Sequence, residues 1–224
     1  MRRASAGLRR LDAPTPFEVW WIDLAKHFER ALTTSLSEDE RARAARFVFA
    51  RDRDRFLSAH SALRELLARR TGRPADELRF DTGPYGKPYL LDTPGCSFNM
   101  SHSQDVALLA IVDKGEIGID VECLRPFPDA TELAERNFTP SERTQLEARP
   151  AHDRDHAFLR CWTRKEACLK AVGSGLSIAP ETFEAGLTPV ERTVDVDGPQ
   201  GSHSVLVNTL EAGSETVAAL ARIN

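Results

Sequence analysis

The sequence Trp162-Thr163-Arg164-Lys165-Glu166-Ala167-Cys168-Leu169-Lys170 predicts a long helix around which the rest of the chain can be placed. Its Ala, Leu, Lys, Arg and Glu residues all favour a helix. Because Glu166 and Lys170 are four positions apart, they share one helix face. Gly173-Ser174-Gly175 ends the helix, since glycine adopts the left-handed conformation common just beyond a helix C-terminus. An apolar stripe is supplied by Phe158, Leu159, Trp162 and Leu169.

A second informative stretch, Ile117-Gly118-Ile119-Asp120-Val121-Glu122, lies about 45 residues upstream and predicts a strand. Asp120 and Glu122 project from the same face of this strand, and the isoleucines and Val121 form the opposite, buried face. If Glu166 meets them, three carboxylates are available to a hard divalent cation such as Mg²⁺. The spacing leaves open a simpler alternative, in which both strand carboxylates point to solvent.

Length and composition indicate a globular protein of one or two domains. The 224 residues include 41% hydrophobic and 29% charged residues, which suits a sizeable core. The net charge of −4 argues against a general nucleic-acid binder, so no nucleic-acid partner is expected. Arginines crowd the segment 41–55, where either a local anion site or a solvated helix face would explain them.

No segment predicts contact with a membrane or secretion. No apolar run approaches the roughly 18 residues of a membrane span, and the basic start lacks the apolar core of a secretory signal. The four cysteines show no metal-binding spacing, so they are interpreted as reduced thiols of a cytoplasmic protein. Residues 1–15 are predicted to be a disordered tail.

The chain also contains an internal repeat at an offset of 101 residues. In this register Arg64-Glu65 falls on Lys165-Glu166, Arg69 on Lys170 and Gly72 on Gly173. Coincidence between two charged helices is one explanation. The other is a duplication that gives an α+β fold of two similar halves about a pseudo-twofold axis, residues 16–114 and 115–224, with the metal site in the second. A groove between the halves would suit a ligand.

The remaining patterns predict the elements of each half. A helix opens at Ser37-Glu38-Asp39-Glu40, where Ser37 can cap it, and a longer helix follows at about 53–70. Strands are predicted at 17–24, 79–81, 106–112, 203–210 and 216–223. The turn Asp113-Lys114-Gly115 predicts that the strand at 106–112 pairs with the strand at 117–122 as a hairpin.

Two further segments could bind an anion. His102 lies between Ser101 and Ser103 in a predicted loop, where it is either a structural hydrogen-bonding group or a donor to a phosphate. Lys87 follows flexible Gly86 and precedes rigid Pro88, which would help to aim its side chain. The segment lacks the spacing of a P-loop.

Taken together, these motifs resemble those of the 4′-phosphopantetheinyl transferases. The family pattern is roughly (I/V)G(I/V)D followed 40 to 50 residues later by (F/W)xxKE(A/S)xxK, and 117–122 with 158–170 satisfy it. Tyr85-Gly86-Lys87-Pro88 and Asn99-Met100-Ser101-His102-Ser103 are similar to features of the larger, surfactin-type monomeric branch. The resemblance runs from about Phe17 to Phe183 and implies a fold of two duplicated halves.

The resemblance implies a Mg²⁺-dependent transfer of 4′-phosphopantetheine from coenzyme A to a serine of an apo carrier protein, releasing adenosine 3′,5′-bisphosphate. By resemblance, Asp120, Glu122 and Glu166 would hold Mg²⁺, and Lys170 would contact the pyrophosphate and stabilise the departing phosphate. The acceptors would be carrier domains of polyketide, nonribosomal peptide or fatty acid synthases, and the enzyme a monomer.

The resemblance also implies contacts to coenzyme A by five residues: Ser101 and His102 to the phosphates, and Lys87, Arg55 and Arg43 toward the nucleotide. One position departs from the family pattern, because Glu40 stands where a basic residue is common. For the serine proton, Glu166, directly or through a metal-bound water, is the first candidate base and Glu142 the second, although an acid at a helix N-terminus has a simpler explanation. A Mg²⁺-dependent nucleotide hydrolase and a carrier-binding module with a structural metal are the rival functions.

Overall fold

The computed structural model describes residues 7–28, 33–91, 93–199 and 201–223, which form ten strands and six α-helices joined by short 3₁₀ turns. The strands are β1 (Leu8–Leu11), β2 (Glu18–Asp23), β3 (Phe80–Thr82), β4 (Pro88–Leu90), β5 (Ser97–Ser103), β6 (Val106–Val112), β7 (Ile117–Cys123), β8 (Arg192–Gly198), β9 (Gly201–Leu210) and β10 (Thr216–Ile223). The helices are α1 (Leu24–Phe28), α2 (Glu38–Ala44), α3 (Ala50–Thr71), α4 (Ala130–Asn137), α5 (Pro140–Glu147) and α6 (Ala151–Val172).

Two four-stranded antiparallel sheets form the centre of the protein. Their strand orders are β1-β2-β6-β5 and β7-β10-β9-β8, while β3 and β4 pair separately. The long helix α3 packs on the first sheet and α6 on the second, each over its own apolar cluster. A third cluster, which includes Val19, Leu108, Ile119 and Leu220, joins the two sheets. The predicted α+β fold is confirmed. Within the described residues no helix is both long and apolar enough to cross a membrane.

The edge strands β5 and β7 meet along a seam between the two sheets. Alternate side chains of β5 point across the seam, because successive residues of a strand face opposite sides. Three of these side chains, Asn99, Ser101 and Ser103, each make a hydrogen bond of 2.7 or 2.8 Å to β7. These bonds join Asn99 to Ile119, Ser101 to Asp120 and Ser103 to Glu122. The seam therefore fixes the register between the two halves.

The sequence repeat corresponds to a repeated buried ion pair. In each half a short helix starts with a capping box, formed by Ser37 with Glu40 and by Thr139 with Glu142. The same glutamate then pairs with a buried cation of the long helix. Glu40 lies 2.7 Å from Arg64, and Glu142 lies 2.8 Å from Lys165. The two pairs support the duplication, while the domain boundary at residues 114 and 115 stays a prediction.

Both long helices end as the sequence predicts. The left-handed residues that follow them are Gly72, with φ of 72°, and Gly173, with φ of 73°. The predicted closing hairpin of β9 and β10 is also present. The strand β8 and the helix α4 had no counterpart among the sequence predictions.

The predicted hairpin of the strands at 106–112 and 117–122 is wrong. Strand β6 pairs with β2 and β5, whereas β7 pairs with β10 in the other sheet. The physical reason is that β6 is apolar on both faces and nearly all buried, so it takes a central place in its sheet. Ser101, His102 and Ser103 likewise lie within strand β5 and not in the loop that the sequence predicts.

The prediction of a disordered tail over residues 1–15 is also wrong where the structure describes them. Leu8–Leu11 is an edge strand that pairs with β2, with Leu8 opposite Ile22. Leu8 and Leu11 are buried while Arg9 and Arg10 between them are exposed, which made the segment look like a polar tail. Residues 1–6 lie outside the described part of the chain.

A close approach between β7 and α6 holds the two carboxylates of β7 beside the helix. A Cβ atom on Gly118 would lie 2.1 Å from the carbonyl oxygen of Ala167 and 2.3 Å from the amide nitrogen of Ala171. Since both atoms are backbone, a side chain at this position would push the strand and the helix apart. Glycine is therefore required two residues before Asp120.

We expect Gly118→Ala to destabilise the protein by about 3 kcal/mol or more, because neither backbone can yield to the added methyl group. The melting temperature should fall by roughly 6–12 °C, measured by differential scanning calorimetry. Gly83→Ala is the matched control, since a Cβ there meets its nearest atom at an ordinary 3.7 Å. Equal melting temperatures for the two variants would contradict this packing argument.

Candidate active site

Residues from both halves meet where the seam reaches helix α6. A cavity of about 300 Å³ opens there, lined by Lys87 and Met100 from the first half and by Glu166 and Lys170 from α6. We call it the Glu166 cavity. Through Lys170, which contacts Asp120, it adjoins strand β7. The prediction that a groove lies between the halves is thus matched by a cavity with contributions from both.

Asp120 is the most buried ionisable group of this region, with 4% of its surface exposed. Its Oδ1 accepts hydrogen bonds from Ser101 Oγ at 2.7 Å and from Lys170 Nζ at 2.6 Å. Its Oδ2 is buried without a hydrogen-bond partner among the described residues. Burial raises the pKa of this carboxyl, and the Lys170 ammonium opposes that rise. The solvent-facing alternative for Asp120 is excluded.

Two further carboxylates lie close enough to influence Asp120. Glu122 Oε2 accepts a hydrogen bond from Ser103 Oγ at 2.7 Å. Burial raises the pKa of Glu122, and the nearby Asp120 charge adds to the rise. Burial also raises the pKa of Glu166; Lys170 opposes this, while Asp120 and Glu122 add to it. The Lys170 charge therefore acts on all three predicted carboxylates, and its ammonium group contacts Asp120 directly.

The arrangement fits a hard cation. Three carboxylates that repel one another are stabilised by a shared positive charge, and oxygen ligands suit Mg²⁺. The partnerless Oδ2 of Asp120 supplies a buried oxygen for that purpose. In the described part of the chain, however, no three His, Cys, Asp or Glu side chains are grouped so that they could hold a metal ion as they stand. Lys170 supplies the positive charge at Asp120 instead.

A second, larger cavity of about 610 Å³ lies on the other side of Met100, which lines both. We call it the arginine cavity, because Arg43 and Arg55 line it together with His60 and His102. Arg55 Nε lies 2.8 Å from Asp105 Oδ1, in the turn between β5 and β6. The predicted nucleotide-contacting arginines thus share one cavity, adjacent to the carboxylates.

His102 points away from the seam, since its neighbours Ser101 and Ser103 point into it. It lines the arginine cavity. Burial lowers the pKa of His102, and the Lys170 charge lowers it further. The imidazole is therefore neutral near pH 7 and suited to hydrogen bonding.

Lys87 lines the Glu166 cavity but its ammonium group is already held. Nζ donates to Glu116 Oε2 at 2.6 Å, to the carbonyl of Ile117 at 3.0 Å and to that of Ala171 at 3.1 Å. Burial lowers its pKa, and Glu116 opposes this. Lys87 therefore fixes the β3–β4 segment to the second half, in addition to any contact with a ligand.

Glu142 is not placed to act as a base, and that alternative is wrong. Its side chain is fully buried and pairs with Lys165. Its Oε1 also accepts hydrogen bonds from the amides of Ala185 and Gly186 at 2.8 and 2.9 Å. Every one of these contacts is internal to the second half. Glu142 is a structural residue.

The sequence predictions missed the contributions of Asn99 and Ser103. Both bond to β7, as Ser101 does, and so hold the acidic strand in place. The polar alternation Asn99, Ser101, Ser103 is the signal that could have identified them, because it has the period of a strand. The Ser-His-Ser segment resembles a loop in sequence, which masks this period.

Comparison with known proteins agrees with this geometry. Residues 116–216 match the family model of the 4′-phosphopantetheinyl transferase superfamily, and residues 20–113 match that of the N-terminal part of a 4′-phosphopantetheinyl transferase. The chain is 43% identical over 163 residues to the 4′-phosphopantetheinyl transferase HetI of Nostoc sp., covering 71% of this chain and 68% of that protein. It is 30% identical over 176 residues to 4′-phosphopantetheinyl transferase Sfp of Bacillus subtilis, covering 79% and 77%. With sequence motifs, site and relatives in agreement, the chain belongs to the 4′-phosphopantetheinyl transferase superfamily.

Proposed function

We propose that this protein transfers the 4′-phosphopantetheine group of coenzyme A to a serine hydroxyl of an apo carrier protein, releasing adenosine 3′,5′-bisphosphate. The observation that carries the proposal is the contact of Lys170 with Asp120 and Ser101 at the junction of the two cavities, where Lys170 and Glu166 line one cavity and His102 lines the other. Phosphoryl transfer depends mainly on positioning and on neutralising charge, and this junction offers both.

The pyrophosphate of coenzyme A would lie at the junction itself. Ser101 Oγ and Lys170 Nζ are 3.1 Å apart and both contact Asp120, so one phosphate could contact both donors. The nucleotide would extend into the arginine cavity toward Arg43 and Arg55, with His102 donating a hydrogen bond on the way. Lys87 lines the Glu166 cavity, so it would contact the ligand there and not at the nucleotide end that the family resemblance implies.

Asp120, Glu122 and Glu166 would hold Mg²⁺. When bound, this ion neutralises the phosphate oxygens and acts as a Lewis acid and a template. The buried Oδ2 of Asp120, which has no partner among the described residues, supports the assignment.

In the reaction, the serine oxygen attacks the β-phosphorus of coenzyme A and the bond to the bridging oxygen breaks. Lys170 neutralises the charge that develops on the departing phosphate. Glu166 takes the serine proton, directly or through a water molecule, because its side chain lines the Glu166 cavity.

We propose carrier domains of polyketide, nonribosomal peptide or fatty acid synthases as acceptors, with the enzyme acting as a cytoplasmic monomer. The monomer is supported by the composition of the site. Ser101 and His102 come from the first half and Asp120 and Lys170 from the second, so one chain supplies every group that the reaction needs.

The proposal is tested by intact mass spectrometry of an apo carrier domain incubated with the protein, coenzyme A and Mg²⁺. A gain of one phosphopantetheine mass that is lost with EDTA is expected. Coenzyme A binding without a mass gain over several carrier domains would favour a carrier-binding module. Release of phosphate from nucleotides without any carrier would favour a hydrolase. Either result would overturn the proposal.

Mg²⁺ should stabilise the protein through Asp120. At about 100 times its dissociation constant, the ion should raise the melting temperature by roughly 5 °C or more, measured by scanning calorimetry. Asp120→Asn should lose this increase. Asp195→Asn, the same change on an exposed strand position, is the control and should keep it. An equal Mg²⁺ response in both variants would contradict the assignment of Asp120 as a ligand.

Glu166→Gln should lower kcat by at least about 100-fold, the range of a lost general base, while coenzyme A still binds in calorimetry. Glu65→Gln is the matched control, because Glu65 occupies the equivalent position of the first-half helix and lies 3.2 Å from His27, not at the cavity. Its kcat should stay within about twofold of the wild-type value. Near-normal turnover of Glu166→Gln would exclude the role of Glu166.

A further inference from the structure

Glu40 makes more polar contacts than its place on a short surface helix requires. Its Oε1 lies 2.8 Å from His60 Nδ1, and its Oε2 lies 2.7 Å from Arg64 Nε. The same Oε2 accepts a hydrogen bond from the backbone amide of Ser37 at 2.8 Å. Both oxygens of this one carboxylate are thus used to join α2 to α3.

Helix α2 has little else to hold it. Of its seven residues only Ala44 is buried, so apolar packing contributes little to its position. Arg43, in the last turn of α2, lines the arginine cavity. The position of Arg43 therefore depends on the contacts of Glu40.

Arg64 is a fixed anchor for these contacts. Its Nη1 donates to the carbonyls of Ala75 at 2.7 Å and Leu78 at 3.0 Å, and only 2% of the residue is exposed. Its guanidinium also lies over the ring of Phe80. A buried guanidinium that loses its carboxylate leaves an uncompensated charge, so the interface would rearrange if Glu40 were changed.

The contacts of Glu40 continue into the wall of the arginine cavity. The rings of His60 and Phe56 are 4.0 Å apart, and the Arg43 guanidinium lies over Phe56 at 5.2 Å from the ring centroid. His60, Phe56 and Arg43 all line the cavity. A series of contacts therefore runs from Glu40 through His60 and Phe56 to Arg43, which lies on the same helix as Glu40.

The second half has the same capping box and ion pair, but the position equivalent to His60 is Cys161, whose buried thiol is hydrogen-bonded to Glu142. There the free oxygen of Glu142 accepts from the amides of Ala185 and Gly186, where Glu40 instead contacts a histidine. The contact to His60 is thus particular to the half that carries the arginine cavity.

We infer that Glu40 is a positioning residue for coenzyme A: it holds Arg43, Phe56 and His60 in the arrangement that receives the nucleotide. The inference rests on the proposed function and assigns a role to a residue that does not itself line the cavity. It also explains how an acidic residue is accommodated in a region proposed to bind phosphate.

The direction in which a Glu40 variant changes coenzyme A binding distinguishes a positioning role from a purely electrostatic one. Burial raises the pKa of Glu40, but contacts with His60, Ser37 and Arg64 lower it to about 2. The carboxylate is therefore ionised under assay conditions. Removing a negative charge near an anionic ligand would by Coulomb's law strengthen binding. Loss of positioning would weaken binding instead.

The test compares Glu40→Gln, Glu40→Asp and Ser37→Ala in steady-state kinetics and in calorimetric binding of coenzyme A. Both Glu40 variants should raise KM and Kd for coenzyme A about tenfold, with kcat and the KM for the carrier within about twofold. Glu40→Asp keeps the charge but shortens the reach, so electrostatics alone predicts no change for it. Ser37→Ala removes the capping hydroxyl and keeps the ion pair, so its KM and Kd should stay near the wild-type values.

A lower or unchanged KM and Kd for coenzyme A in the Glu40 variants would overturn the inference. So would an equal rise in Ser37→Ala, which would indicate general loosening of α2. If Glu40→Gln does not fold, Glu40→Asp alone decides. A wild-type protein that binds coenzyme A but transfers nothing would refute the proposed function, and the calorimetric comparison would still test Glu40.

Discussion

The buried carboxylate of Asp120 is the constraint on which the rest of the site depends. A charge with 4% exposure is strongly destabilising unless it is paired and hydrogen-bonded. One oxygen is satisfied by Ser101 from the first half and by Lys170 from α6, and this requires the close packing that Gly118 permits. The other oxygen has no partner among the described residues. The fold thus holds a carboxylate whose second oxygen is available to a cation.

The two halves share one structural frame, a short helix fixed against a long one, but they carry different functional residues. Each uses a capping-box glutamate and a buried cation to fix a short helix against a long one. In the second half this frame turns Glu166 and Lys170 toward the seam. At the equivalent place in the first half, Glu65 contacts His27. One half therefore carries the carboxylates and the other the arginine cavity, and the seam between β5 and β7 joins them.

Local periodicity predicted the parts of the site that lie on one element. The two-residue period placed Asp120 and Glu122 on one face, and the helical period placed Glu166 with Lys170. Long-range pairing was not predictable in this way: β7 pairs with β10 from the end of the chain, so the short turn before it misled the hairpin prediction. Nor does spacing show that Glu142 is buried. The grouping of Arg43 with Arg55 was implied only by the family resemblance.

The most direct test of this account is a crystal structure of the protein with coenzyme A and Mn²⁺, which substitutes for Mg²⁺ at oxygen sites and scatters anomalously. The account predicts one anomalous peak in contact with Asp120 Oδ2 and with Glu122 and Glu166, and with the pyrophosphate beside Ser101 and Lys170. A cation bound elsewhere, with Asp120 still paired only to Lys170 and Ser101 in the complex, would contradict it.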